Sequence, residues 1–144
     1  MRITGGDLCG RMLKTPKGLS TRPTQDRVRE SLFAVLGERL KDSNTLDLFA
    51  GSGSLGFEAI SRGSRMCTFV EKSRQVASVI EQNAKDLGVA ENTRIIIEDA
   101  SSGRMGWKNG GPYDIVLMDP PYASGVYERM MPVLCEAGVL NPLA

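Results

Sequence analysis

The stretch Leu46-Asp47-Leu48-Phe49-Ala50-Gly51-Ser52-Gly53-Ser54-Leu55-Gly56 constrains what this chain can fold into more than any other. Its apolar start suits a buried strand, its glycines a tight turn, and the residues after it an amphipathic helix. A glycine-rich turn between a strand and a helix leaves backbone N–H groups and the helix N-terminus facing outward, ready for a ligand. The same alternation continues along the chain. Apolar runs at Thr45–Phe49, Met66–Glu71, Arg94–Glu98 and Tyr113–Met118 read as strands, and Ser54–Arg62 and Ser73–Leu87 as helices. In the second helix Ser73 is the expected N-cap, Val76, Val79, Ile80 and Leu87 share a face, and Gly88 is the stop. Gly103–Gly111, with the lone Trp107, reads as a loop. The pattern predicts an α/β fold with a mostly parallel sheet and helices on both faces.

Residues 1–44 form a different layer. Arg2–Thr4 and Arg11–Lys14 can pair as a small basic hairpin, followed by a turn at Pro16, Lys17 and Gly18. An amphipathic helix starting near Thr24 or Asp26 is expected to bury Val28, Leu32, Val35, Leu36 and Leu40. Met1–Arg29 carries seven Lys/Arg against two acidic residues in a chain of net charge +1. That concentration of positive charge at one end favours an anionic partner. The expected division is therefore a basic extension over 1–44 and a core over 45–144. At the other end, a helix over Val126–Glu136 is interrupted by Pro132. The chain stops at Ala144, where another strand should form, so the expectation is either a truncated chain or a short form whose open sheet edge a second copy covers.

No histidine occurs among the 144 residues, which removes Ser-His-Asp and Cys-His mechanisms and the commonest metal ligand. Cys9, Cys67 and Cys135 are too far apart for a metal knuckle or a disulfide framework, so no metal is expected. No apolar run approaches the roughly 20 residues of a membrane span, and Met1–Gly10 lacks the apolar core of a secretion signal. A cytoplasmic location and no membrane partner are expected.

Chemistry must then rest on carboxylates or a cofactor. Gly51-x-Gly53-x-x-Gly56 taken alone also satisfies the dinucleotide fingerprint. Asp47, at the strand end, would repel a pyrophosphate but can hold the ammonium of a methionine moiety directly or through water, which favours S-adenosylmethionine. Glu71 can accept hydrogen bonds from two ribose hydroxyls, and Asp99 can reach the adenine amino group. Phe49, Ala50, Gly51, Gly53, Leu55, Gly56, Lys72 and Ala100 complete the candidate cofactor contacts.

Asp119-Pro120-Pro121-Tyr122 follows the fourth strand, at the same carboxyl edge. An amino group on an aromatic base is a poor nucleophile because its lone pair is delocalised into the ring. The Asp119 carboxylate and Pro120 carbonyl can each accept a hydrogen bond from it, localising that lone pair and aiming it. The prolines restrict the backbone, and Tyr122 offers a ring for stacking an extruded base. Asp119, Pro120 and Tyr122 are the candidate catalytic residues.

With these residues in hand, the chain resembles the bacterial small-subunit ribosomal RNA guanine-N(2) methyltransferases, the RsmD family. The resemblance is carried by Arg2-Ile3-Thr4-Gly5-Gly6 with Gly10-Arg11, by Arg22-Pro23-Thr24 with Asp26 to Glu30, by Asp47 to Arg62 and by Asp119 to Tyr122. It implies a Rossmann-like class I S-adenosylmethionine-dependent methyltransferase fold and transfer to the 2-amino group of a guanine in 16S ribosomal RNA or the small subunit. It also implies RNA contacts from Arg2, Arg11, Lys14, Arg22 and Arg27, with the Arg22–Glu30 segment bordering the pocket. The family continues through three more strands, including an antiparallel final one, that are missing here. A DNA adenine or cytosine amino-methyltransferase, or an RNA-binding protein without catalysis, are the alternatives.

Overall fold

The computed structural model describes residues 1–16, 23–120, 125–136 and 138–144. The elements are α1 (Pro23–Leu36), β1 (Asn44–Leu48), α2 (Ser54–Ser61), β2 (Met66–Glu71), α3 (Arg74–Leu87), β3 (Thr93–Ile97), β4 (Ile115–Met118) and α4 (Val126–Glu136). All four strands are parallel, in the order β3-β2-β1-β4. The expected second strand, Met66–Glu71, matches β2, and the other three differ by one or two residues at their ends. Ser73 caps α3 by accepting from the Val76 N–H at 3.2 Å, and Gly88 closes it in the left-handed region at φ 72°.

Register sets which side chains share a face. Thr45, Cys67 and Ile115 lie side by side, as do Asp47, Phe69 and Leu117. Above that face Phe57, Phe69, Ile80, Leu87, Ile3 and Leu13 form one apolar cluster, and Phe33, Leu40, Ala59, Ile115 and Leu117 another. The opposite face packs Leu46, Leu48 and Val70 against Trp107, Tyr113, Met130 and Leu134. Helices therefore cover both faces, and Ile3 and Leu13 bring the amino-terminal layer into the core of the sheet.

The expected small amino-terminal hairpin is present as an antiparallel bridge, Arg2 with Met12, flanked by the Ile3 N–H donating to the Arg11 carbonyl at 3.0 Å and the Leu13 N–H to the Met1 carbonyl at 2.8 Å. Two expectations are corrected. The Trp107 stretch forms a 3₁₀ helix over Gly106–Gly110, with the indole fully buried. On α1 the inward residues are Arg29 and Phe33, with Leu36 half-buried and Leu40 buried just beyond the helix. Val28, Leu32 and Val35 are instead 62%, 41% and 84% exposed. The helix is rotated from the apolar expectation because Arg29 has an ionic partner inside. At the outer edge of β4, Tyr113 forms a parallel bridge with Leu140, its N–H donating to the Val139 carbonyl at 2.6 Å. This edge is thus covered at Tyr113 by residues 139–141.

Candidate active site

The turn after β1 is shaped by residues in the left-handed region: Phe49 at φ 59°, Gly51 at 57° and Gly53 at 85°. At Gly53 a Cβ would also come within 2.8 Å of the Phe57 ring. At Gly56, in the first turn of α2, a Cβ would lie 2.2 Å from the Phe69 ring, so glycine is what lets α2 rest on β2. The Ala50 N–H donates to the Val70 carbonyl at 2.9 Å, fastening the turn to the end of β2.

Two carboxylates hold this turn. Glu71, half-buried, accepts from the Gly51 N–H at 3.1 Å and from the Ser73 N–H at 2.7 Å. Asp47 is buried, and its Oδ2 accepts from the Gly56 N–H at 3.0 Å. Burial pushes the Asp47 carboxyl up to about 8; the Gly56 hydrogen bond opposes this, while the nearby Asp119 and Glu71 charges add to it. The three carboxylates therefore converge at one edge of the sheet. Asp99 is held below its ordinary value by the hydroxyl and N–H of Ser101, with Lys72 and Arg129 adding a positive field.

A cavity of about 1300 Å³ runs along the carboxyl ends of the strands. Of the predicted residues, Phe49, Ala50, Gly51, Leu55, Glu71, Lys72, Asp99, Ala100, Asp119 and Pro120 line it. Asp47, Gly53 and Gly56 are not among the lining residues, and Asp47 joins the turn behind it through the Gly56 N–H. Pro121 and Tyr122 lie outside the described residues, as do Lys17, Gly18 and Arg22. The lining also includes Glu98, Val76, Tyr127 and Arg129, which sequence reasoning missed. Glu98 was readable as the carboxylate ending the third strand; it accepts from the Gly106 N–H at 3.0 Å. Tyr127 lies on α4, and its hydroxyl donates to the Met118 carbonyl at 3.4 Å, just ahead of Asp119.

The amino-terminal layer reaches the site through Glu58, on α2. This buried carboxylate accepts from the Thr4 and Gly5 N–H groups, from Arg29 Nε at 3.0 Å and from Arg62 Nε at 2.9 Å. Arg29 also donates to the Arg2 carbonyl and, at 2.9 Å, to Asp26. One buried acid thus joins the first residues, α1 and the helix that starts at the glycine turn. Burial would raise the Glu58 carboxyl, but the bonds from Arg62, Thr4 and Arg29 outweigh it and hold it below the ordinary glutamate value.

The predicted RNA contacts Arg2, Arg11, Lys14 and Arg27 are exposed and lie away from the cavity wall. Arg11 donates to the Asp86 carbonyl at 2.9 Å, and Lys14 pairs with the Asp86 carboxylate at 3.4 Å. Exposed pairs of this kind contribute little to stability, so both cations remain available to an anion.

The sequence pattern of the family described as Conserved hypothetical protein 95 matches residues 1–144. The chain is 40% identical over 140 residues to Ribosomal RNA small subunit methyltransferase D of Escherichia coli (strain K12), covering 97% of this chain and 69% of that protein. It is 37% identical over 145 residues to the protein of the same name from Haemophilus influenzae, covering 75% of it. Its fold superposes on the solved structure of yhhF from Escherichia coli with a TM-score of 0.85 at 40% identity, covering 98% of this chain and 75% of that one.

Proposed function

The chain belongs to the RsmD family, the group described as Conserved hypothetical protein 95, and from that premise we propose that it methylates an exocyclic amino group in small-subunit ribosomal RNA, the 2-amino group of a guanine in the 16S molecule. The observation that carries the reading is that Asp119 and Pro120 line the same cavity as the glycine turn and Glu71.

The residues present fit S-adenosylmethionine. Gly51 and Gly53 keep side chains out of the turn, the Glu71 carboxylate reaches the cavity with lone pairs beyond those its two N–H bonds use, and Val70, Val76 and Ala100 give it apolar walls. When bound, S-adenosylmethionine supplies an electrophilic methyl group on a sulfonium centre. Phe49 to Ser52, Glu71, Lys72 and Asp99 would hold it there. Asp47 holds the turn through Gly56 and would meet the methionine ammonium directly or through water.

Asp119 is exposed to the cavity and Pro120 is buried beside it. The carboxylate and the Pro120 carbonyl accept the two N–H bonds of the target amine, which localises the nitrogen lone pair. Methylation would cost the amine one proton as the methyl–sulfur bond breaks, and the Asp119 carboxylate would be the group to accept that proton. Arg2, Arg11, Lys14 and Arg27, exposed on the amino-terminal side, supply phosphate contacts without base specificity.

The test offers labelled S-adenosylmethionine with small ribosomal subunits and with duplex DNA in parallel. Label is expected in the ribosomal RNA. Label in DNA alone overturns the substrate assignment. Absence of transfer together with absence of S-adenosylhomocysteine binding by calorimetry overturns the enzymatic one.

A further inference from the structure

The outer face of α1 carries an apolar stripe, Val28, Leu32 and Val35, that its own fold leaves in solvent. Arg29 fixes this orientation: its guanidinium is drawn inward to Glu58 and Asp26, so the residues turned away from it face out. The stripe is not uniform. Val28 and Leu32 line the cavity that holds Asp119 and Pro120, whereas Val35, one turn further on, does not.

We propose that Val28 and Leu32 form the wall against which the target base lies, unpaired and out of its stack, while Asp119 and Pro120 take its amino edge. This rests on the functional reading above and adds to it the residues that receive the base. The cavity, at about 1300 Å³, exceeds the roughly 300–1,000 Å³ that a single small ligand occupies, so it has room for a second group beside the cofactor. Its lining includes the apolar Val28, Leu32, Leu55 and Leu117, with Arg29, turned inward to Glu58, between the first two, and polar acceptors at Asp119 and Pro120. A nucleobase has that division: apolar faces and a polar edge. A paired base inside a helix hides both, so the occupant is a base in a loop or one extruded from its stack.

The experiment compares Val28→Ser/Leu32→Ser, Val28→Ile/Leu32→Met and Val35→Ser with the wild-type protein, using small ribosomal subunits as substrate. Apolar contacts in a binding pocket are typically worth about ten-fold or more in affinity when removed. The Ser/Ser variant should therefore lose about ten-fold or more in transfer, mainly through KM for the subunit, with unchanged S-adenosylhomocysteine affinity and thermal midpoint. The Ile/Met variant should retain transfer, and Val35→Ser should match wild type. Wild-type transfer by the Ser/Ser variant overturns the inference alone. An equal loss in Val35→Ser does so too, since it assigns the whole stripe to contact with another protein surface. Loss of S-adenosylhomocysteine binding in the Ser/Ser variant reassigns the pair to the cofactor. A wild-type protein that labels no ribosomal RNA overturns the functional reading, and this inference with it.

Discussion

Beside Phe69 and Leu117 in register, and buried, Asp47 keeps its proton to about 8, against 3.8 in an unfolded chain. The folded protein therefore binds that proton more tightly than the unfolded one, and its stability falls as pH rises from about 4 to about 8, then levels. Asp47→Asn retains an amide oxygen for the Gly56 N–H and has no such proton. Its thermal midpoint should exceed that of wild type at pH 8, and the difference should shrink toward pH 4; a constant difference across that range contradicts the assignment. Asp119 is by contrast exposed in the cavity, where the proposed role has it face the amine. At this scale the sequence was a good guide to residue types and a poorer one to their directions. Asp47 was legible as a functional acid, but only the structure shows it buried on the face of Phe69 and Leu117 and bonded to the Gly56 N–H.

At the scale of elements, the strand, turn and helix around Gly51 to Gly56 were legible because glycine spacing and strand periodicity are local signals. Gly56→Ala tests the packing they imply. A Cβ at 2.2 Å from Phe69 forces α2 off β2, with an expected loss of about 1–3 kcal/mol in urea unfolding, typical of overpacking, and weaker cofactor binding. Unchanged stability would show that the helix has slack there. α1 was the element misread. Its sequence offers two stripes at helical spacing, one through Val28, Leu32 and Val35 and one through Arg29, Phe33 and Leu36, and apolarity favours the first. The second wins because Arg29 finds Glu58, far away in sequence, and no periodicity encodes that partner. Trp107 was likewise assigned to a loop because its glycine neighbours hide the burial of its ring.

For the whole molecule, Glu58 is where the amino-terminal layer, α1 and the cofactor helix meet. Glu58→Ala leaves the buried Arg29 without this acceptor, and losing one partner of a buried pair typically costs about 3–5 kcal/mol. Urea unfolding should show a loss of that order, with Glu58→Gln less affected. The Glu58 carboxylate contributes stability above its unfolded value of 4.5 that is lost as pH falls. A surface-like loss below about 1 kcal/mol in Glu58→Ala would separate the amino-terminal layer from the site. The parallel sheet was legible from alternation alone, whereas the joining of residues 1–44 to the core through Ile3, Leu13 and Glu58 was not, since it depends on contacts across the chain. The central claim is that Asp119 drives methyl transfer to an amino group of small-subunit ribosomal RNA. It is tested most directly by digesting RNA from labelled subunits to nucleosides after reaction with wild type and with Asp119→Ala. The account predicts labelled N2-methylguanosine from wild type, and none from Asp119→Ala despite near-normal S-adenosylhomocysteine affinity. An active Asp119→Ala protein, or label on a ring carbon or a ribose, would contradict it.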